Sequence, residues 1–267
     1  MPRGSRFARV AAFAPLLLAA AAQAADCSRP VYLTFDTGHM GVAPLVAEVL
    51  ERQQVQATFF LANETTLDGG TSLDDRWAPW WRHLAARGHV FGSHTYDHVY
   101  WQADLPEGFR MKPAFGPRAG RTQTVTADGY CAELDRSARR FKEMTGRSMS
   151  PLFRAPGGKT SSKLLEAAER RCGYRHVGWT PAGFLGDELP SDKYPNRLLL
   201  ERALRNIRSG DILLAHLGIW SRQDPWAPAV LEPLIEGLKQ KGLCFATLAE
   251  HPRYRDWLST HHVNEHP

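Results

Sequence analysis

Past residue 24 the chain has no apolar run long enough to cross a bilayer, no repeated unit and no low-complexity linker. A helical membrane protein, a solenoid and a string of tethered modules are therefore poor descriptions of it. Cysteine is scarce. Cys27, Cys131, Cys172 and Cys244 lie too far apart for a Cys-x-x-Cys zinc site. An excess of charge of one sign is also nearly absent once the first residues are set aside. Residues 1–24 carry Arg3, Arg6 and Arg9 and no acid, so without them the formal net charge falls from +5 to +2. Nucleic acid is not an expected partner for so mildly basic a surface.

Those first residues read as a leader. "MPRGSRFARV" is basic, an alanine- and leucine-rich run follows from Val10, and "AAQA" offers small residues for cleavage near Ala24. This is the layout of a secretory signal peptide, and the apolar run is shorter than the ~20 residues a membrane span needs. Asp26 directly before Cys27 argues against a lipoprotein. The expected organisation is a signal peptide over 1–24 and one catalytic domain over 25–267, exported to the periplasm or secreted. All four cysteines fall in the exported part, where two disulfides are permitted. Their pairing is open among three possibilities, a long-range Cys27–Cys244 bridge being one.

Strand and helix patterns alternate along the remaining chain. "VYLTF", "ATFFLA", "HVFGSH", "PLFRAP", "YRHVGW", "DILLAHL" and "LCFATL" read as short apolar strands. Between them lie about six amphipathic helices, among them "VAPLVAEVLERQ" and "GYCAELDRSARRFKEMTG". Parallel strands need such crossovers, so the pattern predicts an α/β fold with about seven parallel strands, as an open sheet or a closed barrel. Residues 103–129, rich in Gly, Pro and Arg, read as a loop or lid lining a site.

In both architectures ligands gather at the carboxyl ends of the strands. Those ends place Asp36, then His94 and His98, then Arg154, then His216 on one rim. Each has an ordinary structural explanation when taken singly. Asp36 can cap a helix, Arg154 can pair with a surface acid, and His216 can sit satisfied in a core. "HTYDH" spaces its histidines four apart, which suits one metal ion on a helical turn but matches many surface pairs as well. Their common placement favours the functional reading.

The motifs together resemble the polysaccharide deacetylases of carbohydrate esterase family four, the NodB-like domain. "TFDTG" is similar to the family's TFDDG, "GSHTYDH" to its H-S/T-x-x-H metal motif, "FRAPGG" to its R-x-P motif and "DILLAHL" to its L-x-H motif, in that order from Val31 to Leu248. The resemblance implies a distorted (β/α) barrel, often seven-stranded, and removal of N-acetyl groups from a glycan polymer or oligosaccharide. It implies a divalent metal, zinc first, on His94 and His98. Asp36 is then the general base, His216 the general acid, and Arg154 the residue that orients Asp36. The backbone N–H of Gly157 would help hold the oxyanion.

Two departures stand out. Thr37 occupies the position of the family's second acid, a metal ligand, and a hydroxyl is a poor substitute for a carboxylate. Water, a shifted Asp36, or an extra ligand such as His39 or Asp97 are the repairs to weigh. The family's later D-x-x-D-W motif is also missing, leaving Asp187 or Glu188 as stand-ins to position Arg154 or as plain loop acids. Trp220 and Trp226 are candidate platforms for sugar rings, with Asp187 on the same substrate rim. Other readings keep the site but change its use: a deformylase or O-acyl esterase on a sugar, which is lipid-linked in one version, or a carbohydrate-binding relative with weakened catalysis.

Overall fold

The structure, a computed structural model, describes Met1 and residues 27–263. The expected leader otherwise lies outside the described residues. Ten strands and seven helices follow in order. They are β1 (Pro30–Asp36), α1 (Ala43–Arg52), β2 (Thr58–Leu61), α2 (Ala78–Ala86) and β3 (Val90–Ser93). Next come β4 (Val99–Asp104), β5 (Phe109–Pro113), β6 (Gln123–Val125), α3 (Ala127–Thr145), β7 (Leu152–Phe153), α4 (Ser162–Arg170) and β8 (Arg175–His176). The chain closes with α5 (Asn196–Asn206), β9 (Ile212–His216), α6 (Trp226–Gln240), β10 (Cys244–Phe245) and α7 (Pro252–Thr260).

The seven strands read from the sequence are the seven of one curled parallel sheet, in the order β10-β1-β2-β3-β7-β8 with β9 on β1. Strands buried on both faces read as near-continuous apolar runs, and β1 is buried at every position after Pro30. The barrel is incomplete. β8 and β9 do not pair, and residues 180–185 bridge the gap, with Thr180 N–H donating to the Ile212 carbonyl at 3.2 Å. The helices pack outside on apolar stripes, as α1 does through Ala43, Val46, Ala47, Val49 and Leu50. Thr126 and Ser161 cap α3 and α4 by accepting from the Gly129 and Leu164 N–H groups.

Two elements differ from expectation. Residues 103–129 are not a loop, because much of the segment forms an antiparallel sheet, β4-β5-β6, inserted between β3 and α3. Its β5 alternates buried and exposed residues, the pattern of a sheet with one covered face. Helix α7 has two buried aromatics, Tyr254 and Trp257, too few for a periodic signal.

Both disulfides form, Cys27–Cys244 and Cys131–Cys172. The first joins the segment before β1 to β10, its parallel neighbour, across 217 residues of sequence. Closing so long a loop restricts the unfolded chain. Replacing Cys27 and Cys244 by alanine should therefore lower unfolding free energy by about 2–5 kcal/mol, read from the urea midpoint without reductant. An unchanged midpoint would show that this closure contributes nothing.

Candidate active site

The parallel register sets the site. Asp36 is the Cα partner of His216 on β9 and of Phe60 on β2. One residue further, the ladder continues into the rim. Thr37 N–H donates to the Phe60 carbonyl, His94 N–H to Leu61, and Arg154 N–H to Ser93, at 2.9–3.0 Å. Asp36, Thr37, His94, His98, Gly157 and His216 all line one cleft of about 910 Å³.

The close approach of two loops explains the glycine of "TFDTG". A Cβ on Gly38 would lie 2.0 Å from the Gly218 carbonyl oxygen, which also accepts the His39 N–H at 3.1 Å. The loops carrying Asp36 and His216 are thus locked backbone to backbone.

Asp36 and Arg154 form a buried ion pair. Nη1 of Arg154 donates to Oδ1 at 2.8 Å, with the two side chains 0% and 4% exposed. Burial alone would raise the Asp36 pKa, but the Arg154 charge and hydrogen bond, with His94 and His216, hold it below the usual value. Arg154 is fixed by main chain. Its Nε donates to the Val177 carbonyl and Nη2 to the Gly178 carbonyl, each at 3.2 Å, and its guanidinium lies 4.4 Å over the Phe60 ring. Neither Asp187 nor Glu188 is among its hydrogen-bond partners, so backbone carbonyls do the work considered for those acids.

Asp187 instead serves His216. It is 4% exposed, accepts the His216 N–H at 2.6 Å and faces Nδ1 from 3.1 and 3.2 Å. Burial opposes the charged imidazole, but Asp187 outweighs it, aided by Asp36 and Glu188, and the pKa rises to about 9. Nδ1 carries a proton toward Asp187, and Nε2 lies 4.0 Å from Glu188.

The histidine pair lies in a turn and not on a helix. Thr95 and His98 have positive φ of 57° and 49°, and Val99 N–H donates to the Thr95 hydroxyl. The rings still meet, with centroids 4.8 Å apart. His94 Nδ1 is 2.8 Å from the Arg154 carbonyl, which only accepts, so Nδ1 holds the proton and Nε2 has a free lone pair 3.5 Å from Asp36 Oδ2. Burial lowers both pKa values and keeps both rings neutral, the form that binds metal. His98 Nδ1 is buried without a hydrogen-bond partner. Two neutral imidazoles beside carboxylates fit a divalent cation. Among the described residues no three His, Cys, Asp or Glu side chains stand as a closed ligand set.

The remaining candidates divide. Trp220 is 59% exposed and lines the cleft. Trp226 is 3% exposed, because it opens α6 and turns into the core, so it does not stand on the rim. His39 lines a smaller cavity behind His216, where Nδ1 accepts the Gly41 N–H. Asp97 pairs with Arg136 at 3.0 Å and does not line the cleft. Neither is placed to join His94 and His98. Gly157 lines the cleft with φ of 62°, where a Cβ would press on the Tyr100 ring at 3.1 Å.

Glu64, from the segment after β2, lines the cleft and accepts a hydrogen bond from Thr37 Oγ1 at 2.6 Å. Extending the strand-end argument to "ATFFLANET" would have found it. Tyr100 reaches the cleft from β4, which the sequence pattern did not reveal.

An incomplete parallel barrel with an ionised carboxylate and a cationic histidine in register at its strand ends has the architecture of an α/β-barrel hydrolase. The chain belongs to the polysaccharide deacetylase family, whose model matches residues 23–177. A peptidoglycan-N-acetylmuramic acid deacetylase of Bacillus subtilis is 26% identical over 221 residues, covering 82% of this chain and 70% of that one. A chitooligosaccharide deacetylase of Azorhizobium caulinodans is 27% identical, covering 76% and 80%. Among solved structures, a peptidoglycan N-acetylglucosamine deacetylase has the same fold, with a TM-score of 0.62, 22% identity and coverage of 83% and 87%. So does a family-four pseudoenzyme from Bacillus anthracis, with a TM-score of 0.59, 20% identity and coverage of 84% and 65%.

Arg154→Met would leave Asp36 buried without its counter-ion. The expected loss is about 3–5 kcal/mol of stability at neutral pH, shrinking as Asp36 is protonated in acid. Denaturant titration at pH 7 and pH 4 measures it, and an equal loss at both values would refute the ion-pair account.

Proposed function

We propose that the chain is a metal-dependent hydrolase that removes N-acetyl groups from an exported or cell-envelope glycan. One observation carries the reading. The ionised Asp36 and the cationic His216 lie in register on adjacent strands, each held by its own partner, beside two neutral histidines.

Asp36 is the base. Arg154 occupies Oδ1, leaving Oδ2 to take the proton of the attacking water. His216 is the acid. Asp187 holds its Nδ1, so Nε2 delivers a proton to the departing amine as the C–N bond breaks. The Gly157 N–H stabilises the oxyanion, a contribution typically worth about 2.7–4 kcal/mol. A divalent cation, zinc first, bound by His94 and His98 would supply Lewis acidity toward the acyl oxygen and the water. One structural relative, an acetyl xylan esterase of Clostridium thermocellum, was solved with a cobalt ion.

The curated relatives named above act on peptidoglycan and chitooligosaccharides, which supports an N-acetylated substrate. Exposed Trp220 offers a ring face for a sugar. Two disulfides support an oxidising compartment, and no described helix is long and apolar enough to cross a membrane.

The test is metal content and acetate release from peptidoglycan fragments and chitooligosaccharides, for the wild type, Asp36→Ala and His98→Ala. Metal-dependent release should disappear in both variants. Glycan binding without release, unchanged in Asp36→Ala, would leave the chain a carbohydrate-binding relative.

The acid must be protonated to act, so the rate should fall as pH rises through about 9. Asp187→Asn removes the main support of the imidazolium. The alkaline limb should then move toward roughly 6.5, with the rate at pH 8 down by roughly ten-fold or more. An unmoved limb would remove His216 as the acid.

A further inference from the structure

Glu64 is a buried carboxylate, 7% exposed, with no ion-pair partner among the described residues, and the only positive charge acting on it is the more distant one of His216. Its position is built with care. The Glu64 N–H donates to Ser72 Oγ at 2.9 Å, Ser72 Oγ donates to the Ala62 carbonyl at 2.6 Å, and Ser72 N–H returns a bond to the Glu64 carbonyl at 2.8 Å. These bonds fix the main chain and would hold any side chain there. The carboxylate is fixed separately, by Thr37 Oγ1 at 2.6 Å.

Thr37 keeps only one lone pair, on a neutral oxygen, to offer a metal, which makes it a weak ligand. Its proton goes to Glu64, and a lone pair accepts the Ala62 N–H at 3.0 Å. The residue at the vacant acid position is therefore a bracket for another acid. The second oxygen of Glu64 has no hydrogen-bond partner among the described residues, and the side chain faces the cleft shared with His94 and His98. His98 Nδ1 is likewise buried and unpartnered. An unpaired buried carboxylate is costly in itself and is retained where a cation matches it. Asp36 has Arg154 for this purpose, and Glu64 has no ion-pair partner among the described residues.

Resting on the metal reading above, we propose that Glu64, bracketed by Thr37, supplies the negative charge that balances a divalent cation held by His94 and His98 in the cleft they share, with no closed three-ligand set formed among them. It supplies the charge that the family's second acid carries in the TFDDG motif.

The test is Zn²⁺ affinity, measured on the purified protein by competition with a chromophoric chelator, with the zinc-induced shift in Tm as a second readout. Glu64→Gln keeps the size of the side chain and an acceptor for Thr37 but removes the charge. It should weaken Zn²⁺ binding by roughly 10–100-fold and shrink the zinc-induced Tm shift, while Tm in EDTA stays at the wild-type value or rises. Adding Thr37→Asp to Glu64→Gln restores the charge on the hydrogen-bonded neighbour and should recover the affinity. Wild-type affinity in Glu64→Gln, with binding lost in His98→Ala, would overturn this inference and leave the metal reading standing. A loss that Thr37→Asp fails to recover would also overturn it. Wild-type protein that binds no Zn²⁺ would overturn both.

Discussion

A carboxylate buried at the end of a parallel strand loses most of its hydration, so the fold must bring it a charge. Arg154 is that charge, and much of the barrel is arranged around delivering it. The guanidinium reaches Asp36 on β1, crosses the Phe60 ring of β2 and is tethered by carbonyls just beyond β8. One side chain thereby joins strands far apart in sequence at the level of the cleft. The same pairing keeps Asp36 ionised at neutral pH, the state that the proposed base needs.

The two charged groups, Asp36 and His216, are tuned by partners of opposite sign. Asp36 is an acid stabilised in its charged form by a permanent cation. His216 is a base stabilised in its charged form by Asp187, against the cost of burial. Because the β1–β9 register makes them direct partners, each also favours the charge of the other. The histidines at 94 and 98 take a third course, buried and neutral, with a lone pair kept available on His94 by the Arg154 carbonyl. Thus Arg154 serves two groups, the acid through its side chain and the imidazole through its backbone.

Much of this was legible in the sequence, because parallel strands announce themselves as apolar runs and their carboxyl ends mark the rim. Asp36, His94, His98, Arg154 and His216 were all reached that way. What escaped depends on contacts across the chain. Nothing local says that Asp187 turns to His216 and not to Arg154, or that carbonyls replace the missing acid motif. Trp226 and Trp220 look alike in sequence, yet the first opens a helix facing the core. The β4–β6 sheet was hidden by its glycines and prolines. Glu64 stands at a strand end like the others but belongs to none of the family's motifs.

The β4–β6 sheet has a mechanical consequence. His98 is the residue immediately before β4, and its ring packs against Tyr100 of that strand, with centroids 4.9 Å apart. The turn holding His98 ends where the sheet begins, with no slack residue between them. The sheet is therefore a lever whose short arm ends on His98. Pressure on its Tyr100 face reaches the imidazole through a single ring contact, without passing through the barrel.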